Sequence, residues 1–317
     1  MTEFGYFLSS EELSPQRQVE LAKLAESAGF DRIWISDHYH PWTREQGESG
    51  FVWSVLGAIA ATTDLHMTTA VTCPTDRIHP AVLAQATATI ASIAPGRFSF
   101  GVGSGERLNE HILGGLWPPA PIRLQRLEEA VDLIRRLWSG ETVTHRGEHY
   151  TVDAARIFSL PEKLPDVLVS GFGPASTDLA ARIGDGWINV QPSKELLDRY
   201  RAAGGRGVTQ GGMKFCWAPN ADDAAKTAYR LWGFEAVGGQ SAQDLPSWTE
   251  FEQLGEATSP EQVAEKVPCG PDPERAAEAI KEYIDAGFDE VYLSQMGPDQ
   301  EGGIKFLTEE VLPLVRS

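Results

Sequence analysis

Two stretches at opposite ends of the chain repeat one plan. Glu20 to Ser36 reads as an amphipathic helix, then Ala28-Gly29-Phe30-Asp31, then a short apolar strand ending at Ser36. From Ala276 to Ser294 a second helix leads through Ala286-Gly287-Phe288-Asp289 into Glu290-Val291-Tyr292-Leu293. A third version runs through Ala180-Ala181-Arg182-Ile183-Gly184-Asp185-Gly186 into Trp187-Ile188-Asn189-Val190. Glycine after the last helical turn supplies a left-handed cap, and the apolar run that follows is a buried strand. Helix-to-strand steps repeated in this way demand parallel strands joined by right-handed crossovers. The strands so placed are Phe4–Leu8, Arg32–Ser36, His66–Thr72, Phe98–Val102, Asp166–Ser170, Gly186–Val190, Met213–Trp217 and Glu290–Ser294. Eight units predict an α/β fold closed as a (β/α)8 TIM barrel rather than an open sheet. Residues 1–317 read as one domain, with an insertion at about 231–273 that is too long for an ordinary connection. Gly140 to Pro165 reads as loop or a short hairpin turning at Gly147.

Forty-five acidic residues against 27 Lys and Arg leave a net charge of −18, which argues against nucleic acid and anionic membranes as partners. Cys73, Cys216 and Cys269 are scattered without metal-like spacing, pointing to a reduced, cytoplasmic setting. His38 and His40 lie two apart, but no acidic or histidine cluster supports a metal, so none is expected. No secretion signal and no bilayer-length apolar run is present in this sequence.

Active sites of such barrels lie at the C-terminal ends of the strands, so the residues after each strand test for an enzyme. The first strand is followed by Ser9, Ser10 and Glu11, and the second by Asp37, His38 and Trp42. Next come Thr72 and Pro74, then Gly101-Val-Gly-Ser-Gly-Glu106 with Asn109. Ser170-Gly-Phe-Gly-Pro174 follows the fifth strand and opens a helix whose N-terminus favours an anion, while Gln191 and Lys194 follow the sixth. The glycine-rich turns admit two readings, tight barrel turns or backbone brought close to a ligand. Chemistry gathers at one end only. Two carboxyls, Glu11 and Glu106, and the imidazole of His38 around one pocket allow one group to take a proton while another donates.

Taken together, Glu11, Ser36-Asp37-His38 with Pro41-Trp42, Gly101–Glu106 with Asn109, Leu127-Glu-Glu-Ala-Val, Leu137-Trp138-Ser139-Gly140, Gly173-Pro174 and Gly184-Asp185-Gly186 resemble the bacterial luciferase-like flavin/deazaflavin superfamily. The resemblance spans nearly the whole chain and is nearest to the branch of F420-dependent glucose-6-phosphate dehydrogenase. It implies a homodimeric barrel that binds the deazaflavin coenzyme F420 and a small-molecule substrate. It implies cofactor contacts from Asp37, Ala70, Val71, Cys73, Gly105, Asn109, Ser170, Gly171, Phe172 and Gly173, with a non-prolyl cis peptide at Ala70-Val71. In the implied mechanism His38 takes the hydroxyl proton, Trp42 supports the developing charge, Glu106 is the acid and Glu11 positions the substrate. Substrate contacts fall to Gln191, Lys194 and Lys266, but Lys266 stands where an arginine is usual and Gln240–Asp244 offers no lysine. A weakened phosphate cluster predicts a sugar, sugar phosphate or secondary alcohol dehydrogenase, with glucose 6-phosphate itself in doubt. The rival reading is an FMN-dependent luciferase-like monooxygenase.

Overall fold

A computed structural model describes residues 2–237, 239 and 241–316. Met1, Gly238 and Gln240, which enter the readings above, lie outside the described residues. The strands are β1 (Glu3–Leu8), β2 (Arg32–Ile35), β3 (His66–Thr69), β4 (Phe98–Val102), β5 (Val143–Arg146), β6 (Thr151–Ala155), β7 (Val167–Ser170), β8 (Gly186–Asn189), β9 (Thr209–Phe215) and β10 (Glu290–Gln295). Eight of them close into a parallel barrel in the order β1-β10-β9-β8-β7-β4-β3-β2, and β5 and β6 form an antiparallel hairpin outside it. The expected (β/α)8 barrel is therefore the observed architecture.

Helix-to-strand steps are built as the repeats dictate, with one exception. Gly29 and Gly287 take positive φ values of 95° and 99°, ending helices Pro15–Ser27 and Pro273–Ala286 and turning the chain into β2 and β10. Gly184 instead has φ −90°, so the third turn is extended; a Cβ there would lie 2.7 Å from the Gly186 carbonyl oxygen. Close approach explains that glycine, not handedness.

Two strands differ from the sequence reading. β9 begins at Thr209 rather than Met213, because Gly211 and Gly212 are strand residues pressed against rings. A Cβ on Gly212 would meet the Trp34 ring at 2.4 Å, and one on Gly211 the Tyr283 ring at 2.5 Å. β3 stops at Thr69 because a cis peptide joins Ala70 to Val71, after which Thr72 pairs with Val102.

Inside the barrel, Trp34 stacks on Tyr292 with ring centroids 4.5 Å apart and donates to Gln210 Oε1 at 2.8 Å. These side chains pack with Leu168, Ile188 and Phe7 in one apolar cluster inside the barrel. The segment at 231–273 is mainly helical, with Trp248–Glu256 and Pro260–Lys266 its longer helices. Phe234, Phe251, Val263 and Val267 of this segment form a second apolar cluster with Trp42 and Leu108.

Gly101 is the tightest point of the upper barrel: a Cβ there would lie 1.8 Å from the Thr69 carbonyl oxygen. The Thr69 backbone on one side and Ile188 Cδ1 at 2.9 Å on the other leave little room to relax, so Gly101→Ala is expected to lower unfolding free energy by about 3 kcal/mol or more. Urea unfolding checks this, and a wild-type midpoint would contradict it.

Candidate active site

The turn after β1 and the turn after β2 are tied together before any catalytic side chain is placed. Ser10 donates from its hydroxyl to the Ser36 carbonyl oxygen at 2.6 Å, and its amide donates to Ser36 Oγ at 2.8 Å. Ser36 then donates to Glu11 Oε2 at 2.8 Å, and Ser9 donates to the same oxygen at 2.7 Å. The other oxygen, Glu11 Oε1, lies 3.3 Å from His38 Nε2. Glu106, just past β4, brings its Oε2 to 3.2 Å from that same nitrogen. His38 Nδ1 faces the His40 carbonyl oxygen at 3.3 Å, so both ring nitrogens are engaged. The acid and the imidazole touch directly, on one side of the mouth.

The two carboxyls are held in different states. Glu11 has a side chain only 3% exposed; burial pushes its carboxyl up, but His38 and the Ser9 and Ser36 hydroxyls outweigh this, and it titrates below the usual range. Glu106 is 30% exposed at its side chain, and burial dominates: with the nearby negative charge of Glu11 it outweighs His38, and the carboxyl is held above the usual range. A proton-poor and a proton-rich carboxyl thus flank one imidazole.

Trp42 lies beside His38 with ring centroids 4.8 Å apart, and packs on Phe234 at 5.4 Å and Phe251 at 4.9 Å. Asn109 ties the loop to β4's exit: its Oδ1 accepts from the Tyr39 and His40 amides at 2.9 and 3.2 Å, and its Nδ2 donates to Glu106 at 3.1 Å. The Asp37 side chain is wholly enclosed, and its carboxylate is spent on Arg77 Nη2 at 2.7 Å and Thr72 Oγ1 at 2.7 Å. It therefore acts within the wall rather than presenting a free carboxylate to a ligand. Arg77 also donates its amide to Glu110, whose carboxyl burial pushes up to about 7. Sequence reasoning missed Thr72's partner role, Arg77 and Glu110.

The remaining positions form a floor of small groups. A Cβ on Gly103 would strike both Ser170 Oγ and Val71 Cγ2 at 2.7 Å, so the ends of β3, β4 and β7 meet there. Gly171 lies where a Cβ would be 2.7 Å from Trp187 Nε1, a buried donor without a hydrogen-bond partner among the described residues. Phe172 is 44% exposed, and Gly173 caps helix Pro174–Ile183. Cys73 is buried behind Gly105, with its sulfur 3.0 Å from Thr75 Oγ1. A flat backbone floor at Ala70-Val71 and Gly103, beside the open helix N-terminus, fits a planar ring with an anionic tail.

The lysines implied by the resemblance are both exposed. Lys194 is 65% exposed and paired with Asp198 on its own helix at 2.9 Å, and Lys266 is exposed in the last turn of Pro260–Lys266. Gln191 is exposed, its amide donating to Asn189 Oδ1. The cation whose charge bears on Glu106 is Lys214 of β9, and its inward direction follows from alternation with Gly212 and Gln210, which meet Trp34.

The luciferase-like monooxygenase family profile matches residues 2–290. F420-dependent glucose-6-phosphate dehydrogenase of Microbacterium testaceum is 35% identical, covering 99% of this chain and 97% of its own. F420-dependent hydroxymycolic acid dehydrogenase of Mycobacterium tuberculosis is 37% identical over 98% of this chain and 88% of its own. Among solved structures, an F420-dependent secondary alcohol dehydrogenase in complex with an F420-acetone adduct superposes with a TM-score of 0.91 at 30% identity, covering 100% and 99% of the two chains. The chain belongs to the luciferase-like monooxygenase family.

Proposed function

We propose that this protein is an F420-dependent oxidoreductase that transfers a hydride between the carbinol carbon of an alcohol or sugar and coenzyme F420. The observation that carries the reading is the imidazole of His38 held between two carboxyls at the barrel mouth. Similarity over nearly full length to enzymes named for F420 and for alcohol substrates supports it.

Val71, Gly103, Ser170 and Gly171 would hold the ring of F420, and the Gly173-capped helix its anionic tail. When bound, F420 supplies the carbon that accepts or returns the hydride. His38 Nε2 takes the hydroxyl proton of the alcohol as the carbon–hydrogen bond weakens. Glu11, held ionised by two serine hydroxyls, stabilises the imidazolium that results. Glu106, held protonated to higher pH than an ordinary carboxyl, would supply the proton that the reduced coenzyme takes up beside the hydride, while its Oε2 accepts from Asn109 Nδ2. Trp42 presents its ring beside the base and keeps water from it.

The same proposal has the chain acting as one barrel unit, with 231–273 as the substrate-side wall, and as a cytoplasmic homodimer with a small-molecule substrate. Segment packing on Trp42 supports the wall. Among the described residues no helix is long and apolar enough to cross a membrane. Sedimentation equilibrium tests the dimer, and a monomer at micromolar concentration would remove it.

Titration of the purified protein with F420 and with FMN separates hydride transfer from the monooxygenase rival. Tighter binding of F420 is expected, and a tight FMN complex with weak F420 binding would overturn the proposal. His38→Ala should cut the rate of F420 reduction by about 10²–10⁴ while F420 affinity is kept. An unchanged rate would remove the base.

The state of Glu106 sets a pH dependence. Its acid form is required, so the rate should fall as pH rises through its elevated pKa. Glu106→Gln should lower the rate and abolish that falling limb in a pH–rate profile. A limb that survives the substitution would assign it to another group.

A further inference from the structure

Lys214 of β9 bears on two carboxyls of the mouth, Glu12 and Glu106. It does not stand open. Its ammonium is ion-paired with Glu235, in the turn Gly233–Ala236, and lies over the Trp232 ring, 3.9 Å from the centroid. Trp232 in turn donates its indole N–H to Glu12 Oε1 at 2.6 Å, and the Gly297 amide donates to Glu12 Oε2 at 2.7 Å. Both the face and the edge of Trp232 are thus engaged, one by the cation and the other by a carboxyl.

We propose that the Lys214–Glu235 pair is a specificity device that withholds the mouth's cation from anions, so that the site prefers an uncharged alcohol to its phosphorylated counterpart. This rests on the reading of the site as an alcohol-oxidising centre. The charge count with both ion pairs formed carries the inference. Glu235 cancels Lys214, and Glu11 cancels His38 even when the imidazole is charged. Glu12 and Glu106 add either nothing or further negative charge. With Glu11 and Glu235 ionised the group around the base does not sum above zero, and a phosphate dianion entering it finds no unpaired cation to meet it. Lys194, a sequence candidate for a phosphate contact, is spent on Asp198 at the exposed start of its helix.

Glucose and glucose 6-phosphate differ only in the phosphoryl group and provide a matched pair of probes. The F420-loaded wild-type enzyme is expected to favour glucose in kcat/KM by about tenfold or more. Glu235→Gln frees Lys214, and should move the ratio toward glucose 6-phosphate by about tenfold. A wild-type preference for the phosphorylated sugar, or an unmoved ratio in the variant, would overturn the proposal.

Calorimetry with inorganic phosphate gives a second arm that needs no turnover. The wild type should show no saturable binding, Glu235→Gln should acquire it, and Lys214→Met added to Glu235→Gln should abolish it. Phosphate binding by the wild type, or none by Glu235→Gln, would contradict the proposal. The Glu235 side chain is 31% exposed, and Glu235→Ser provides a second route to the same unpaired lysine if the glutamine variant folds poorly. If F420 fails to bind at all, the dehydrogenase reading falls while the phosphate arm still decides whether Glu235 masks Lys214.

Discussion

One imidazole clamped between two carboxyls is the constraint from which the rest of this site follows. A carboxylate as buried as Glu11 is costly unless its charge is met by donors, and two serine hydroxyls with a histidine meet it. Those donors come from different turns of the barrel, which is why Ser10 and Ser36 are bonded to one another beneath it. Glu106 reaches the same nitrogen from just past β4 with Asn109 as its one neutral side-chain donor among the described residues, so burial governs its proton instead. Asymmetry between the two carboxyls is thus a product of which strand end each occupies. It gives the site a standing acid and a standing counter-ion without moving parts.

Beneath this arrangement lies a second charge system that fixes the loop bearing His38. Arg77 and Thr72 close both oxygens of Asp37, and Arg77 Nη2 also reaches the Asp37 carbonyl oxygen at 3.3 Å. Asn109 accepts from the two amides that follow His38, so the loop is held from below and from the side. Breaking a buried pair of this kind leaves an uncompensated charge, and a base displaced by an ångström loses its reach. Trp42 completes the frame by joining the loop to the helical segment at 231–273 through Phe234 and Phe251. Substrate access, base position and the packing of that segment are therefore one problem.

Local pattern locates all eight barrel strands, three of them at the repeated helix-to-strand step, although the start of β9 is read four residues late. Ser36-Asp37-His38 was legible in the same way, as polar residues at the exit of an apolar run. Arg77 left no trace, since its partner Asp37 lies forty residues earlier and nothing local marks the pairing. Lys214 was hidden by Gly211-Gly212, which reads as a turn until Trp34 and Tyr283 are seen filling the space of their absent side chains. With the strand begun at Met213, the inward alternation of Gln210, Gly212 and Lys214 is lost. Lys194 and Lys266 came from resemblance, and both are exposed, Lys194 in a pair with Asp198. Sequence shows which strand end carries a charge; only the closed barrel shows what answers it.

The account stands on proton and hydride leaving one alcohol together, the first to His38 and the second to F420. Single-turnover reduction of F420 by an alcohol deuterated at its carbinol carbon, run in light and in heavy water, measures both at once. The prediction is a several-fold slowing by substrate deuterium, a further slowing by heavy water on the same step, and substrate deuterium recovered in the reduced coenzyme. Reduction at an unchanged rate with the deuterated alcohol, or coenzyme carrying solvent hydrogen at the reduced carbon, would contradict it.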